Sequence, residues 1–413
     1  MAQTVSESAE AGEVAAEPGL DWNRLLGWRS RAGLGGEVAA IMALSGAADV
    51  ISFSGGFPDP SLFPSRALAD LVAGLADDPL ALQYAPTAGL PATLDWLSDR
   101  LARLDGRRPH QAELMVTSGG IDGLQLLGQS LLDPGDVVVV EAPSYLGAVM
   151  GFRSQGAEVV AVAMDGDGLD VDRLDDLLSH RRQPRPKLVY TIPDHHNPMG
   201  VSLAEDRRVA LVEVARRHGV LLVEDVAYRE LGFDGARRTS LWSMGPDVVV
   251  QLGTFSKTFA PGFRMGWLAG PEPLVAQAMV AKQVTDQCTG ALGQRLVEAY
   301  GRSGGLDAQT VAARHLYGER CRLLLDAFSR HLPPGVSWTR PAGGFFSWVT
   351  APEGVDTTEL RDRGLAEGVG FVPGRPFYPD GRGGNQIRVS FSRAAEDTIE
   401  EGSRRLGSLL ARA

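Results

Sequence analysis

Between residues 112 and 270, short and almost unbroken apolar runs alternate with stretches whose apolar positions recur every three or four residues. The runs are ELMVTSG (113–119), DVVVVEAP (136–143), EVVAVAM (158–164), KLVYTIP (187–193), VLLVEDVAY (220–228), DVVVQLG (247–253) and RMGWLAG (264–270). Dense Val, Leu and Ile without strict alternation is the pattern of strands buried on both faces. Segments such as GLQLLGQSLLD, DVDRLDDLLSHRR and AEDRRVALVEVARRHG separate most of them and carry helical spacing. This alternation predicts an α/β domain with a mostly parallel, seven-stranded sheet between helices. The connection between the last two runs is short, which allows one antiparallel strand there.

Beyond residue 271 the pattern changes. A long helical region over 272–331 precedes a hairpin in SWTRPAGGFFSWVTAP, the helix TTELRDRGLAEG, the strand NQIRVSFS and a terminal helix. That order predicts a smaller α+β C-terminal domain. The expected organisation is a disordered tail (1–20), an N-terminal arm packing on the small domain (21–50), a large domain (51–285), and a connecting helix with the small domain (286–413).

Composition narrows the function. A formal net charge of −11 argues against nucleic acid as a partner. No apolar run reaches the roughly 20 residues of a membrane span. The N-terminal stretch lacks the basic and apolar regions of a signal peptide. Cys288 and Cys321 are the only cysteines, too few for a disulfide framework or a zinc site. A soluble, cytoplasmic protein is the expectation.

Ligands of open α/β sheets bind at the carboxyl ends of the strands, so candidate chemistry is sought there. After ELMVT, Ser118, Gly119 and Gly120 open a helix whose first N–H groups are free for an anion, or simply form a tight turn. Tyr145 follows DVVVVEAP, as a packing residue or a cover for a ring. In DHHNPMG, Asn197 precedes a proline, and the neighbouring His195 and His196 point opposite ways on extended chain, which disfavours a metal. Asp225 and Tyr228 end a central strand, where an ionised carboxylate is costly without a cation. Thr254, Ser256, Lys257 and Arg264 follow DVVVQLG. Only three lysines stand among 40 basic residues, Lys187, Lys257 and Lys282, so a lysine retained at a strand end suggests an amine nucleophile rather than a surface cation. An anion cradle, a ring cover, a carboxylate for a ring nitrogen and a lysine for an aldehyde together describe pyridoxal 5′-phosphate.

At these motifs the sequence resembles fold-type I pyridoxal-phosphate enzymes, in particular class I/II aminotransferases of the 2-aminoadipate and kynurenine branch. The resemblance runs through SFSGGFPDPSLFP, LQYAPTAGLPATL, EAPSYLGA, HNPMG, VEDVAYREL, GTFSKTFAPGFRMGW, RPAGGFFSWV, GFVPGRPF and NQIRVSFS, nearly nine-tenths of the chain. It implies that Lys257 carries the cofactor, Asp225 pairs with its ring nitrogen, Asn197 and Tyr228 bind its 3′-oxygen, and Tyr145 stacks on the ring. It further implies a phosphate site of Ser118, Gly119, Gly120, Thr254, Ser256 and Arg264. Tyr84 would reach the neighbouring subunit's phosphate in a homodimer with shared sites. Arg388 would hold the substrate α-carboxylate, with Gly56, Asn197, His195 and His196 also near the substrate. The implied reaction passes through an external aldimine and a quinonoid, most simply to transamination between an amino acid and a 2-oxo acid.

Three stretches depart from the pattern. The phosphate turn lacks its usual hydroxyl and glutamine, and Asp122 brings a negative charge toward an anion. The loop before Asn197 is Asp194-His195-His196, and GGEVAAIMAL replaces the helix that carries a side-chain-recognising arginine. The histidines leave elimination, replacement or carbon–carbon bond formation open. A cofactor-sensing transcription factor is a further alternative, although no basic DNA-binding segment precedes ISFSGG.

Overall fold

The computed structural model describes residues 20–31, 50–75, 77–181 and 183–413. Nearly all of the expected tail, most of the expected arm and the whole of GGEVAAIMAL lie outside the described residues. The segment 20–31 carries two short helices, Trp22–Leu25 and Trp28–Arg31, the first capped by Asp21.

All seven apolar runs form strands of one sheet. Its order is Leu114–Thr117, Gly266–Ala269, Val249–Thr254, Leu221–Asp225, Pro186–Thr191, Val137–Ala142, Glu158–Asp165 and Gly168–Leu169. The eighth strand was not anticipated. It is a two-residue hairpin return onto the edge strand, made by the Asp-Gly-Asp-Gly turn after Met164. Gly266–Ala269 is antiparallel to both neighbours, as the short connection before it allowed.

Successive residues of the central strands enter opposite cores, which is why the runs are apolar throughout. Val138, Val140, Leu188, Val223 and Val250 pack with the helices Gly120–Leu131, Leu146–Ser154 and Glu272–Thr285. Val139, Val189, Leu222 and Val249 face the helices Pro91–Asp105, Val171–His180 and Glu205–His218.

The expected long helical region is three helices, Glu272–Thr285, Ala291–Arg302 and Gly305–His331. The breaks fall where the backbone turns left-handed, at Gln287 and at Gly304. The C-terminal part holds a four-stranded antiparallel sheet in the order Ser337–Trp338, Phe346–Thr350, Gln386–Ser390 and Val372–Pro373. The hairpin predicted from SWTRPAGGFFSWVTAP is its first pair. Ile51–Ser52 pairs in parallel with Val369–Gly370, and Phe53 is buried against the helix Glu396–Ala411 at Gly402. The residues that follow, Ser54 to Phe57, are thereby anchored beside the C-terminal sheet while the chain leads on to the large one.

Candidate active site

The parallel strands deliver four of the candidate residues from their carboxyl ends. Asp225 is the last residue of its strand, and Tyr145, Asn197 and Lys257 stand in the loops just beyond theirs. Lys257 Nζ donates to the Gly56 carbonyl at 2.8 Å, and the aromatic faces of Tyr228 and Phe345 lie 5.8 and 5.7 Å away. Burial lowers its amine to about 8, with the Arg388 and Arg264 charges adding to the effect and Asp225 opposing it. Burial raises Asp225 above the ordinary carboxylate range. The donors to that carboxylate are both neutral: the Tyr190 hydroxyl at 2.7 Å and the Ala227 N–H at 3.1 Å. Burial likewise raises the Tyr228 phenol, whose hydroxyl lies against the Asn197 amide.

Arg388 reaches the same space from the central strand of the smaller sheet. Ile387 and Val389 are fully buried, and the guanidinium between them emerges on the other side, as alternation along the strand requires. It donates to Asn197 Oδ1 at 3.0 Å and to the Ser54 carbonyl at 2.7 Å, and its Nε–H has no partner. Phe346 and Phe377 sandwich it at 4.4 and 5.0 Å. Among the described residues no carboxylate pairs with it, and burial holds it down to about 10. Gly56 takes part through its backbone, and a Cβ there would lie 2.5 Å from the Phe346 ring.

At the other end, Gly119 caps the helix Gly120–Leu131 with φ at 96°, a conformation that leaves its first N–H groups outside any helical bond. A Cβ on Gly119 would lie 2.8 Å from Arg264 Nη2, and one on Gly120 would lie 3.8 Å from Thr254 Cβ. Thr254 and Ser256 are joined by their hydroxyls at 2.9 Å. Tyr145 feels the charges of Asp225, Arg388 and Arg264, and burial raises its phenol to about 12. The turn, Arg264, Thr254 and Ser256 therefore close on one small polar cup beside the strand ends.

Three of the expected site residues are engaged by partners within the chain. Ser118 lies on the turn, but both its donors are engaged within the protein: its N–H bonds Asp122 Oδ2 at 2.7 Å and its hydroxyl bonds Asp286 Oδ2 at 2.6 Å. His195 is enclosed against Gly232, Gly343 and Gly344, its N–H donating to Ser202 Oγ at 3.0 Å, and burial lowers its imidazole to about 4. His196 accepts the Met199 N–H on Nδ1 at 3.3 Å, while its Nε2 lies 3.0 Å from Glu141, off-axis for a hydrogen bond. Both imidazoles are buried, and the bonds of both residues run within the loop. Tyr84, expected to serve a neighbouring subunit, is 75% exposed.

Sequence reading missed Tyr190 and Lys282. Tyr190 is fully buried in a strand, where a phenol needs a polar partner, and that alone marked it. Lys282 shared with Lys257 the signal of being one of three lysines.

The cofactor fits this frame. A buried carboxylate with only neutral donors calls for a cation, and an amine held near neutrality by burial can attack an aldehyde. The comparisons agree. The family model for aminotransferase class I and II matches residues 48–406. An aromatic-amino-acid aminotransferase of Thermococcus litoralis is 34% identical over 412 residues, covering 96% of this chain and 97% of that one. A kynurenine aminotransferase of Pyrococcus horikoshii, solved with PMP, superposes with a TM-score of 0.91 at 35% identity, covering 95% and 98% of the two chains. LysN, the α-aminoadipate aminotransferase of Thermus thermophilus solved with N-(5′-phosphopyridoxyl)-L-leucine, gives 0.88 at 34% identity, covering 95% and 99%. The chain belongs to the class I and II aminotransferases, enzymes of fold type I that depend on pyridoxal 5′-phosphate.

Proposed function

We propose that this aminotransferase exchanges the amino group of an aromatic or otherwise apolar α-amino acid with a 2-oxo acid. When bound, pyridoxal 5′-phosphate supplies an aldehyde for amines and a cationic ring that draws electron density from the substrate α-carbon. Lys257 would hold the cofactor's aldehyde, and its Nζ is the base that would move the substrate's α-proton. Asp225, oriented by Tyr190 and the Ala227 N–H, gives the ring nitrogen its counter-ion. Asn197 and Tyr228 would bind the ring oxygen, and Tyr145 would cover the ring. The amides of Gly119 and Gly120 would hold the phosphate with Thr254, Ser256 and Arg264.

The observation that carries this reading is a set of charges that need partners from outside. Among the described residues Arg388 is an enclosed cation bonded to an amide oxygen and a backbone carbonyl, with no partner for its Nε–H, which suits an incoming carboxylate. The rings of Phe346 and Phe377 against it, with Trp348 packed on Phe377 at 5.6 Å, favour an apolar side chain next to that carboxylate. Aromatic and kynurenine substrates of the relatives fit the same surroundings. Asp225→Ala should slow α-deuterium exchange by about two to four orders of magnitude. A panel of amino acids with 2-oxo acid formation as the readout should favour phenylalanine, tyrosine and leucine over glutamate by about tenfold in kcat/KM. A preference for glutamate would overturn the substrate assignment.

The same reading includes a homodimer in a cytoplasmic setting. Leu80, Leu82 and Tyr84 are exposed, as are Val280 and Val284 on the helix Glu272–Thr285, and such apolar side chains suit a face covered by a second copy. No helix among the described residues is long and apolar enough to cross a membrane. Mixing Tyr84→Phe with Lys257→Ala protein should restore activity if Tyr84 serves the partner's phosphate. No recovery would favour sites built within single chains. The elimination reading rested on the histidine pair and loses that support, because both rings are packed into the loop.

A further inference from the structure

Asp122 is the departure that the site has to accommodate, since it puts a carboxylate in the first turn of the helix that faces the phosphate. The structure shows where that charge goes. Lys282, on the helix Glu272–Thr285, has no exposed surface. Its ammonium donates to Asp122 Oδ2 at 2.9 Å, to Asp286 Oδ2 at 2.9 Å and to Ser118 Oγ at 3.4 Å. All three of its hydrogens are thereby used. Ser118 closes the cluster, giving its N–H to Asp122 and its hydroxyl hydrogen to Asp286, with Thr289 Oγ1 at 3.2 Å.

We infer that Lys282 is a positioning residue for cofactor affinity: through Asp122 and Ser118 it fixes the turn whose amides meet the phosphate, and it neutralises the carboxylate beside it. Two carboxylates and one ammonium leave the cluster a single net negative charge. Without Lys282 the half-buried Asp122 carboxylate, with Asp286 on its solvent side, would face the phosphate without the ammonium that now pairs with both, and losing one partner of a partly buried ion pair costs more than the pair's net worth. The Ser118 donors also acquire a purpose. They hold the start of the helix in place, so that Gly119, Gly120 and Arg264 do the binding.

The inference deepens the proposed function and rests on its assignment of the turn to the cofactor phosphate. The test is equilibrium binding of pyridoxal 5′-phosphate and of pyridoxal, which lacks the phosphate, to the cofactor-free protein, followed by absorbance. Lys282→Met should weaken binding of the phosphorylated form by about 30-fold and leave pyridoxal within about threefold. Adding Asp122→Asn to that variant should recover about tenfold, because the charge that Lys282 balances is gone. Asp122→Asn alone keeps an acceptor for the Ser118 N–H and should bind the phosphorylated form as tightly as wild type or more tightly. This variant carries the test should Lys282→Met fail to fold.

Wild-type affinity in Lys282→Met, equal losses for both ligands, no recovery in the double variant, or tenfold weaker binding in Asp122→Asn would each overturn the role of Lys282. If the wild type binds pyridoxal as tightly as its phosphate, the assignment of the turn itself fails, and this role with it. Displacement by inorganic phosphate should follow the same order across the variants.

Discussion

Lys257 and Lys282 border one site in opposite surroundings. Lys257 has a backbone carbonyl and two aromatic faces for company, with Arg388 and Arg264 repelling its charge. Lys282 is clasped between two carboxylates and a serine hydroxyl. The first environment favours a neutral, nucleophilic amine, and the second ties the amine into a set of hydrogen bonds. On the proposed reading the same residue type is a reactive group at one end of the site and a structural counter-ion at the other, and the neighbours decide which.

The largest effect expected from breaking this contrast is at the ring end. Lys257→Ala should reduce 2-oxo acid formation by about four orders of magnitude, since it removes both the attachment and the proton carrier. Steady-state assay with cofactor in excess measures it, and activity within tenfold of wild type would reject the assignment.

Arg388→Leu should lower kcat/KM by about two to three orders of magnitude, mostly through KM, because the guanidinium holds a carboxylate that is present throughout the reaction. An unchanged KM would move carboxylate binding elsewhere.

The pH dependence of cofactor uptake sharpens the comparison. The neutral amine of Lys257 is the reactive form, so the uptake rate of the cofactor-free protein should rise through about pH 8, rather than near the 10.5 of an ordinary lysine. The sign for stability follows from the same shift. Between those values the unfolded chain holds a proton that the folded site lacks, so this group makes the cofactor-free protein more stable as pH rises across that window. A midpoint near pH 10 would mean that the amine is solvated.

The smallest effects belong to the histidines. His196→Ala and His195→Ala should each change kcat/KM by less than about tenfold while lowering the melting temperature, because their partners are Met199, Glu141 and Ser202. Selective loss of leaving-group release with α-deuterium exchange intact would revive an elimination chemistry.

Much of the fold was legible because strands buried on both faces leave dense apolar runs, and every such run became a strand of the large sheet. The eighth strand escaped because two residues carry no periodicity. The residues the sequence singled out, Lys257, Asp225 and Arg388, are brought into one buried space, and a charge among apolar residues is an incongruity that sequence shows directly. The phosphate end was less legible, because the meaning of Asp122 depends on Lys282, a partner on a distant helix. Asp122 read alone looked unhelpful, and the ion pair that accounts for it exists only in the folded chain. The histidines stayed ambiguous in the sequence for a related reason. Adjacent titratable residues near a cofactor loop suggest chemistry, but Gly232, Gly343 and Gly344 close around His195 from other parts of the chain.

The contrast between the two lysines is tested most directly by borohydride reduction of the cofactor-loaded protein, followed by peptide mass mapping. A single phosphopyridoxyl addition is predicted on the peptide containing Lys257, with Lys282 and Lys187 unmodified. A label on Lys282 would contradict the account, because an amine held by two carboxylates would then be the one that carries the cofactor.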